Sequence, residues 1–403
     1  MEPYIKLLLW VLSGLVFGSF IYYIILQPAA PQNQNQTISA LPSMQNGSPS
    51  VQIAPSQNTT PGLNGTTAQK KEDVRFIVIH APGCAECVAA DDLTNQSITI
   101  FNETGKFTAP KIITLDTSSP EAKTLLSQYN ITLLPVMIIQ GNTSVEPSLV
   151  QSWKSSVGSV ESDGTLVSRY LPPPYYDTVS GKTAGLVQGI GIAPKDCKSC
   201  PNATVYFQSL SGQSIGMAFG SLTMLDENTS QAQDLIRKYN ITKLPTILLG
   251  PEAALYPVFT QSIKTSGTVA DDGWFVLRDV IPPYVDLSTI RSTRGFVDSI
   301  HLVNSSCANC VDIAGLSGYI EDSAGLFIVN TTTYETNSTQ GSALLKKYNI
   351  TKIPTLLYSP EVSVYPRFAQ AWVKQNNTIE SDGWFVFREV DLVGEPYQNV
   401  SAG

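Results

Sequence analysis

The octapeptide "YNITKLPT" at residues 239–246 occurs in two further versions, "YNITLLPV" at 129–136 and "YNITKIPT" at 348–355. The prolines of the three versions lie 110 and then 109 residues apart. A fixed period of this length is too long for a solenoid repeat, but it suits a whole small domain. The octapeptide therefore predicts the same structural position in three sister domains.

Two other markers repeat with the same period. A cysteine pair precedes each octapeptide, as "CAEC" at 84–87, "CKSC" at 197–200 and "CANC" at 307–310. An Asp-Gly stretch follows each octapeptide, for example "ADDGWFVLRDVIPPY" at 270–284. Because three independent markers keep one order, the sequence is a tandem triplicate.

The bulk composition is that of packed domains with an uncharged polar surface. The chain has 403 residues, a net charge of −8 and 42% apolar residues, which leaves room for several domains with hydrophobic cores. Only 14% of the residues are charged, below the roughly 25% of an average soluble protein. The sequence contains no basic cluster, which argues against nucleic-acid binding.

The N-terminal segment predicts a membrane anchor. Residues 7–26 form a run of 20 residues without a charge, and such a helix would span the roughly 30 Å of a hydrocarbon core. The alternative is a cleaved signal peptide, but the apolar run is long for one, and the candidate cleavage site "PAA" is followed by Pro31. Lys6 precedes the run and the next basic residue is Lys70, so we expect a cytoplasmic N-terminus and an extracytoplasmic bulk.

The segment after the anchor predicts a flexible linker. Residues 27–72 are rich in Gln, Asn, Ser, Pro and Gly, and they contain too few apolar residues to form a core. Asn-x-Ser/Thr sequons recur along the chain, and with an extracytoplasmic location they predict a glycoprotein. Examples are Asn58, Asn95, Asn142, Asn228, Asn337 and Asn376.

The markers give the predicted domain boundaries. Residues 1–26 are the cytoplasmic tip and anchor, 27–72 the linker, 73–177 repeat 1, 178–286 repeat 2 and 287–398 repeat 3.

Strands and helices are expected to alternate within a repeat. In repeat 1, the β-branched runs at 74–81, 111–117 and 135–141 predict strands. The segment that starts at "CAEC" predicts a helix beginning at the cysteines, and Ser-Pro opens a second helix at 119–131. The type of structure after residue 141 stays open. The pattern predicts an α/β sheet with helices on its faces.

A strand, a C-x-x-C pair at a helix start and a later "YNITKIPT" motif resemble the thioredoxin family, including membrane-anchored proteins similar to protein disulfide isomerase. The resemblance covers about 71–398 and implies three tandem thioredoxin-like domains. In that family a βαβ half carries the dithiol, a ββα half follows, and a cis-proline faces the cysteines. The implied cis-prolines are Pro135, Pro245 and Pro354.

The cysteine pairs predict thiol–disulfide exchange, either oxidation or isomerisation, on the thiols and disulfides of exported proteins or peptides. A helix N-terminus would favour a thiolate on the first cysteine, which attacks, while the second cysteine resolves the mixed disulfide. By resemblance, the three prolines shape the groove that binds a substrate strand. No cofactor or metal is implied. The predicted attacking residues are Cys84, Cys197 and Cys307, and the predicted resolving residues are Cys87, Cys200 and Cys310.

Other interpretations remain open. Each pair can be an inert structural disulfide within a non-enzymatic surface scaffold whose repeats bind partners. A Cys₄ zinc site from two pairs is disfavoured, because the pairs lie about 110 residues apart in separate cores. His80 and His301 lie in apolar runs, and we expect them to be core or rim residues and not catalysts. The sequence leaves the oligomeric state and the direction of exchange open.

The uncharged run at 7–26 yields a topology prediction. Protease added to intact cells should release fragments from the region after residue 27, because the bulk of the chain is expected outside. Fragment sizes on an immunoblot would measure this release. Cleavage seen only after the membrane is permeabilised would show that the predicted orientation is wrong.

Overall fold

The computed structural model describes residues 71–400, except 88, 89, 289 and 395. The predicted anchor at 1–26 lies outside the described residues, as does nearly all of the predicted linker. Within the part that is described, no helix combines the length and the apolar character needed to cross a membrane.

The described residues form two compact units. The first, 71–183, contains repeat 1, and the second, 184–400, contains most of repeat 2 and all of repeat 3. In both units, five-stranded sheets are flanked by helices. The predicted mixed α/β architecture is therefore confirmed for these residues.

The helices and strands follow one order in the three repeats, except that β8 and β16 lie just beyond the predicted ends of repeats 1 and 2 and have no counterpart among the described residues of repeat 3. Repeat 1 consists of β1 (Val74–Ile79), α1 (Ala90–Glu103), β2 (Lys111–Leu115), α2 (Pro120–Gln128), β3 (Leu133–Leu134), β4 (Val136–Gly141), α3 (Pro147–Ser156), β5 (Gly158–Val160), β6 (Leu166–Ser168), β7 (Tyr175–Asp177) and β8 (Lys182–Ala184). Repeat 2 consists of β9 (Val187–Ala193), α4 (Thr204–Ser211), β10 (Phe219–Asp226), α5 (Ser230–Lys238), β11 (Lys243–Leu244), β12 (Thr246–Leu249), α6 (Pro257–Ser266), β13 (Gly267–Val269), β14 (Phe275–Leu277), β15 (Tyr284–Asp286) and β16 (Ser292–Arg294). Repeat 3 consists of β17 (Phe296–Val303), α7 (Ile313–Ala324), β18 (Phe327–Glu335), α8 (Thr339–Lys347), β19 (Lys352–Ile353), β20 (Thr355–Tyr358), α9 (Pro366–Lys374), β21 (Thr378–Ile379), β22 (Phe385–Val386) and β23 (Gln398–Asn399). Short 3₁₀ helices span Thr143–Val145, Pro251–Leu255, Pro360–Val364 and Val390–Val393.

The main sheets share one topology. In repeat 1 the strand order is β2-β1-β4-β6-β5, in repeat 2 it is β10-β9-β12-β14-β13, and in repeat 3 it is β18-β17-β20-β22-β21. Strand β1 is parallel to β2 and antiparallel to β4. The strand that precedes the cysteines is therefore an interior strand, second from one edge of every five-stranded sheet, and its carboxyl end carries the C-x-x-C loop. We refer to this interior strand as the central strand.

Apolar residues alternate between the two faces of each central strand. In β1, Phe76 packs on one face with Phe101 of α1 and Trp153 of α3. Ile77 packs on the other face with Leu125 of α2. Successive side chains of a strand point to opposite faces, so a run that is apolar throughout must be covered on both sides. Two core clusters per repeat follow from this pattern.

The second helix of each repeat begins at a side-chain cap. The hydroxyls of Ser119, Thr229 and Ser338 accept hydrogen bonds from the backbone N–H groups three residues later. A hydroxyl at this position satisfies one of the unpaired N–H groups of the first helical turn. The cap therefore fixes where the helix that leads into each octapeptide begins.

The second half of each repeat departs from the ββα order that the resemblance implied. In repeat 1 the helix α3, with Pro147 in its first turn, comes before the hairpin of β5 and β6. The segment at 149–153, whose structure the sequence left open, lies within α3, and Trp153 is buried. Gly164 then has a φ of +81°, which allows the turn of the hairpin. The apolar face of α3 packs on the sheet through Leu149 and Trp153, and the hairpin follows α3 in the chain.

The octapeptide forms a turn with a left-handed residue. Asn130, Asn240 and Asn349 have φ angles of +50°, +49° and +48°. Asparagine is one of the few residues other than glycine that adopt this conformation readily. The repeated Tyr-Asn-Ile-Thr therefore encodes the reversal between the second helix and the proline.

An arginine from the last strand region holds this turn. In repeat 3 the guanidinium of Arg388 donates to the carbonyl of Tyr348 at 2.7 Å and to that of Asn349 at 3.3 Å. Its Nε also donates to Thr378 at 2.9 Å. Arg169 and Arg278 make the equivalent carbonyl contacts in the other repeats. The planar fork of arginine suits two neighbouring acceptors, so one side chain joins the turn to the hairpin.

The tyrosine of the octapeptide joins the turn to the Asp-Gly stretch. The hydroxyls of Tyr129, Tyr239 and Tyr348 donate to the carboxylates of the aspartates that precede the turn glycines, at 2.9, 3.0 and 3.0 Å. These aspartates are Asp163, Asp272 and Asp382. Two of the three sequence markers are thus in direct contact.

The peptide bonds before Pro135, Pro245 and Pro354 are cis. This geometry was predicted at all three positions and is confirmed. Two further cis bonds, Pro173–Pro174 and Pro282–Pro283, were not predicted.

The left-handed turn gives a stability prediction. Asn240→Ala should lower the free energy of unfolding of repeat 2 by about 1 kcal/mol. Alanine has a Cβ atom and no side chain that can form a local hydrogen bond, so it is disfavoured at positive φ. Asn240→Gly is the matched control and should change it by less than about 0.5 kcal/mol. Native-state hydrogen exchange of the β12 amides measures both variants. Equal protection in the two variants would contradict this account of the turn.

Candidate functional site

Each C-x-x-C pair forms its own disulfide. The bonds join Cys84 to Cys87, Cys197 to Cys200 and Cys307 to Cys310, with Cα–Cα distances of 5.4, 5.3 and 5.4 Å. All six cysteines are half-buried. Each loop follows the carboxyl end of the central strand.

The disulfides lie in turns before the helices, and the prediction that a helix begins at the cysteines is wrong. In repeat 3 the N–H of Cys310 donates to the carbonyl of Cys307 in a turn, and α7 begins only at Ile313. Asp312 caps α7 by accepting from the N–H of Ala314. Aspartate competes well for this position, so the helix begins after it.

The same delay is present in the other repeats. In repeat 2, Pro201 follows the second cysteine, and α4 begins at Thr204. In repeat 1, α1 begins at Ala90, and residues 88 and 89 are outside the described part. The effect of a helix dipole falls off within the first turn. The expected dipole stabilisation of the first thiolate therefore has no structural basis in repeats 2 and 3.

Repeat 3 places its disulfide beside the cis-proline. A cavity of about 100 Å³ joins Cys307 and Cys310 to Pro354, which follows β19. The other residues that line it are Val303, Asn304, Val311, Ile353 and Gln398. Both sulfur-bearing side chains and the proline thus share one space large enough for a small side chain.

Asn304 organises the loop of this disulfide. Its backbone carbonyl accepts from the N–H of Cys307 at 3.0 Å, and its side-chain oxygen accepts from the N–H of Ser306 at 3.1 Å. Its amide nitrogen donates to the side-chain oxygen of Gln398 at 2.8 Å. The asparagine therefore connects the cysteine loop to the C-terminal strand.

In repeat 2 the disulfide packs on the core. Cys197 and Cys200 contact the cluster that contains Leu244 and Val285. Nearby, Arg291 lies 2.9 Å from Glu227 and 3.8 Å from Asp196, the neighbour of Cys197. The disulfide loop of repeat 2 thus lies next to two ion pairs that share Arg291.

The chain itself occupies the edge next to each cis-proline. The two residues before each proline form β3, β11 or β19, and these strands pair with β7, β15 and β23 respectively. We call the segments that cover this edge the straps, namely 175–177 in repeat 1, 284–286 in repeat 2 and 396–400 in repeat 3. A substrate strand at the predicted groove would use the same edge.

The straps take up the hydrogen-bonding groups of this edge. The carbonyls of Thr132, Thr242 and Thr351 accept from N–H groups at 2.8, 2.7 and 2.8 Å. In an antiparallel pair, hydrogen-bonded positions recur every second residue. Leu134, Leu244 and Ile353 are therefore the next hydrogen-bonded positions, and they directly precede the cis-prolines.

Repeat 3 also contains buried polar side chains on β17, α7 and β20. His301 of β17 is 5% exposed, and its Nε2 has no hydrogen-bond partner among the described residues. Val303 lies two residues further along the strand, on the same face, and lines the cavity. The hydroxyl of Ser317 donates to Glu321 and lies 3.4 Å from the hydroxyl of Tyr358. The expectation that His301 is a core or rim residue is confirmed.

Burial controls the electrostatics of these side chains. Burial lowers the pKa of His301 below the usual value, while the negative charges of Glu321 and Asp312 oppose the shift. Burial also raises the pKa of Tyr358, so that its hydroxyl stays neutral. The imidazole of His301 and the phenol of Tyr358 are therefore both uncharged at neutral pH.

The straps and the three arginines were not predicted as functional or structural groups. A two-residue strand has no periodicity of its own, and its partner lies about 40 residues away. The available signal was repetition, because Arg169, Arg278 and Arg388 recur within the Asp-Gly stretches, and Pro-Tyr recurs at the start of each strap.

Comparisons with known proteins give distant similarities only. No protein-family model matches the chain, and no curated protein matches it. Full-length ERdj5 has 9% identity over 73% of this chain and 41% of its own length, with a TM-score of 0.14. Human ERp44 has 9% identity over 71% of this chain and 77% of its own, with a TM-score of 0.14. A protein disulfide oxidoreductase from Aeropyrum pernix has 15% identity over 44% of this chain and 77% of its own, with a TM-score of 0.13.

The chain spans about two fifths of the length of ERdj5. Scores this low carry no argument, so the fold is assigned from the topology of the chain itself. A central βαβ unit, a cis-proline before an antiparallel strand and a C-x-x-C disulfide after the central strand occur in every repeat. The three repeats have a thioredoxin-like fold, with the last helix placed before the final hairpin.

The buried histidine gives a pH prediction. Below about pH 6.5 an unfolded histidine binds a proton, whereas His301 in the folded state binds it only at lower pH. In this pH range the unfolded state binds more protons than the folded state. Protonation of His301 in the unfolded state therefore lowers the free energy of unfolding of repeat 3 as the pH falls from about 7 to 5. His301→Gln should make this decline smaller, as measured by hydrogen exchange at Leu356 and Leu357.

The backbone amide of Leu248 in repeat 2 is the control, because repeat 2 contains no histidine. The pH dependence of its protection should be the same in the wild type and in His301→Gln. An unchanged decline at Leu356 in the variant would contradict the assigned role of His301.

Proposed function

We propose that this protein is a thiol–disulfide oxidoreductase that acts on extended segments of exported proteins, with Cys307 and Cys310 as its best-placed pair. The cavity that joins these two cysteines to Pro354 carries the proposal. It gives an incoming sulfur a place beside the disulfide and beside the edge where a strand can pair. The other two pairs lie at the same point of the fold and are weaker candidates.

The proposed exchange takes place between the Cys307–Cys310 disulfide and two thiol groups of the substrate. A substrate thiolate attacks the sulfur of Cys307, which forms a mixed disulfide and releases Cys310 as a thiolate. A second substrate thiolate then attacks the substrate sulfur of the mixed disulfide and releases Cys307. Two electrons and two protons pass from the substrate to the pair, and the substrate gains a disulfide. The reverse sequence reduces a substrate disulfide, and both together give isomerisation.

We propose a membrane-anchored location for this activity. The uncharged run at 7–26 supports a single membrane span, and Lys6 supports a cytoplasmic N-terminus. An extracytoplasmic space is oxidising, which suits disulfides in all three pairs. The sequons fit the same exterior surface, so the proposed protein is a glycoprotein tethered through residues 27–72.

A scaffold role remains the second candidate, and one observation favours it for repeats 1 and 2. Their straps continue into β8 and β16, so that three-stranded sheets cover the edges before Pro135 and Pro245. Displacing such a strap would break two strand pairings. In these repeats the disulfides are suited to bracing the fold while the surface binds partners.

The proposed function predicts a trapped intermediate. In the full chain, Cys310→Ala should accumulate a mixed disulfide between Cys307 and a disulfide-containing peptide, because the resolving sulfur is missing. Cys307→Ala should trap severalfold less, because the predicted attacking sulfur is missing. Mass spectrometry after acid quenching measures the adducts.

Cys200→Ala is the matched control, since it removes the corresponding sulfur of repeat 2. It should trap less than Cys310→Ala if repeat 3 is the principal site. Absence of adducts in all three variants would exclude the proposed exchange and leave the scaffold role.

A further inference from the structure

The strap of repeat 3 differs from the other two in how firmly it is held. It pairs through β23 alone, whereas β7 and β15 are each backed by a further strand. None of the described residues in 396–400 is buried. In contrast, Tyr284 and Val285 of the repeat 2 strap are 6% and 2% exposed. Within this unit, the strap of repeat 3 is therefore less deeply buried than the strap of repeat 2.

A small set of polar contacts closes this strap over the disulfide. The carbonyl of Pro396 accepts from the N–H of Val311 at 3.0 Å, next to Cys310. The side chain of Gln398 accepts from Asn304 and lines the disulfide cavity. The N–H of Val400 donates to the carbonyl of Thr351 at 2.8 Å. The strap thus touches both the cysteine loop and the strand before Pro354.

We propose that residues 396–400 are a displaceable gate on the Cys307–Cys310 site, which an extended peptide must replace before exchange occurs. The inference rests on the proposed function, because it concerns access to the same disulfide. The strap occupies the pairing edge of β19 as a peptide strand would, and its Gln398 lines the cavity next to the sulfurs. An incoming strand can therefore bind only where the strap has left.

The strap also indicates the chemistry of the segment that replaces it. The occupant pairs through its backbone with Ile353, and at this position it offers a side-chain oxygen to the amide of Asn304. A peptide that replaces Gln398 with another hydrogen-bond acceptor keeps this bond, whereas an apolar side chain leaves the amide of Asn304 without it. We expect extended, uncharged polar peptides to be preferred.

Small reductants should not need the gate to open. The cavity of about 100 Å³ is present with the strap in place, so a molecule the size of dithiothreitol needs no paired edge. The difference between a small dithiol and a peptide thiol therefore isolates the effect of the strap.

The hydrogen bonds of Gln398 provide the test. Because Thr351 and Val400 are hydrogen-bonded, Ile353 and Gln398, two residues away on each strand, form the next hydrogen-bonded pair. Gln398→Pro removes the N–H that this pair requires, and it also removes the side-chain oxygen that accepts from Asn304. Asn399→Pro is the matched control, because Asn399 lies opposite Lys352 at a non-hydrogen-bonded position.

The experiment measures the exchange rate of each disulfide in the full chain with a synthetic extended peptide thiol and with dithiothreitol. Differential alkylation and mass spectrometry separate the three pairs. Gln398→Pro should raise the peptide rate at Cys307–Cys310 at least about fivefold, since losing even one of its two hydrogen bonds favours the open strap by about that factor. The dithiothreitol rate and the peptide rate at Cys197–Cys200 should change less than about twofold. Asn399→Pro should leave all the rates near those of the wild type.

Hydrogen exchange at the amides of Ile353 and Val400 reports the opening of the strap without any redox reaction. A more open strap in Gln398→Pro with an unchanged peptide rate would overturn the gate. An equal increase in Asn399→Pro would also overturn it, because the effect would not depend on the paired edge. If no pair exchanges with peptide in any variant, the proposed function fails. The strap is then judged by these amides alone, and equal protection in the wild type and Gln398→Pro would overturn it as well.

Discussion

One arginine fork in each repeat holds together the parts on which the remaining structure depends. The guanidinium of Arg388 donates to the carbonyls of Tyr348 and Asn349, the first two residues of the octapeptide, and Asn349 has the left-handed conformation. Tyr348 joins the same turn to the Asp-Gly hairpin. The chain continues from this turn into β19. The turn therefore sets the direction of β19 and the position of its pairing edge before the chain reaches the cis-proline. The disulfide site and its strap both depend on this edge.

This constraint explains why the most repeated sequence is not the one that carries the chemistry. The octapeptide is nearly identical in the three copies, whereas the two residues between the cysteines differ in each copy. A left-handed turn with two carbonyls directed at one arginine tolerates few substitutions, because each group has a defined partner. The cysteine loop has only to bring its two sulfurs within bonding distance, and a four-residue turn does so with many side chains.

Much of the fold could be predicted from the sequence because its signals are local. Apolar runs with β-branched residues gave the strands, and a hydroxyl before the second helix gave its beginning. The helix after the cysteines was predicted too early. The segment near Cys310 is compatible with helix, but Asp312 is the better cap and Val311 already donates to the strap. That donor is used by residues more than 80 positions away in the chain, which no local pattern reveals.

The sequence by itself determined the triplication, the order of strands and helices up to the cis-proline, and the presence of one C-x-x-C pair in each repeat. These properties depend on residues that are close along the chain, or on repetition that can be counted. Only the tertiary structure decided that α3 precedes the final hairpin, that the buried Nε2 of His301 has no hydrogen-bond partner among the described residues, and that straps cover the pre-proline edges. A two-residue strand is stable only against a partner, because its few hydrogen bonds and small apolar area cannot offset the loss of chain entropy alone. Its position is therefore a property of the assembled domain.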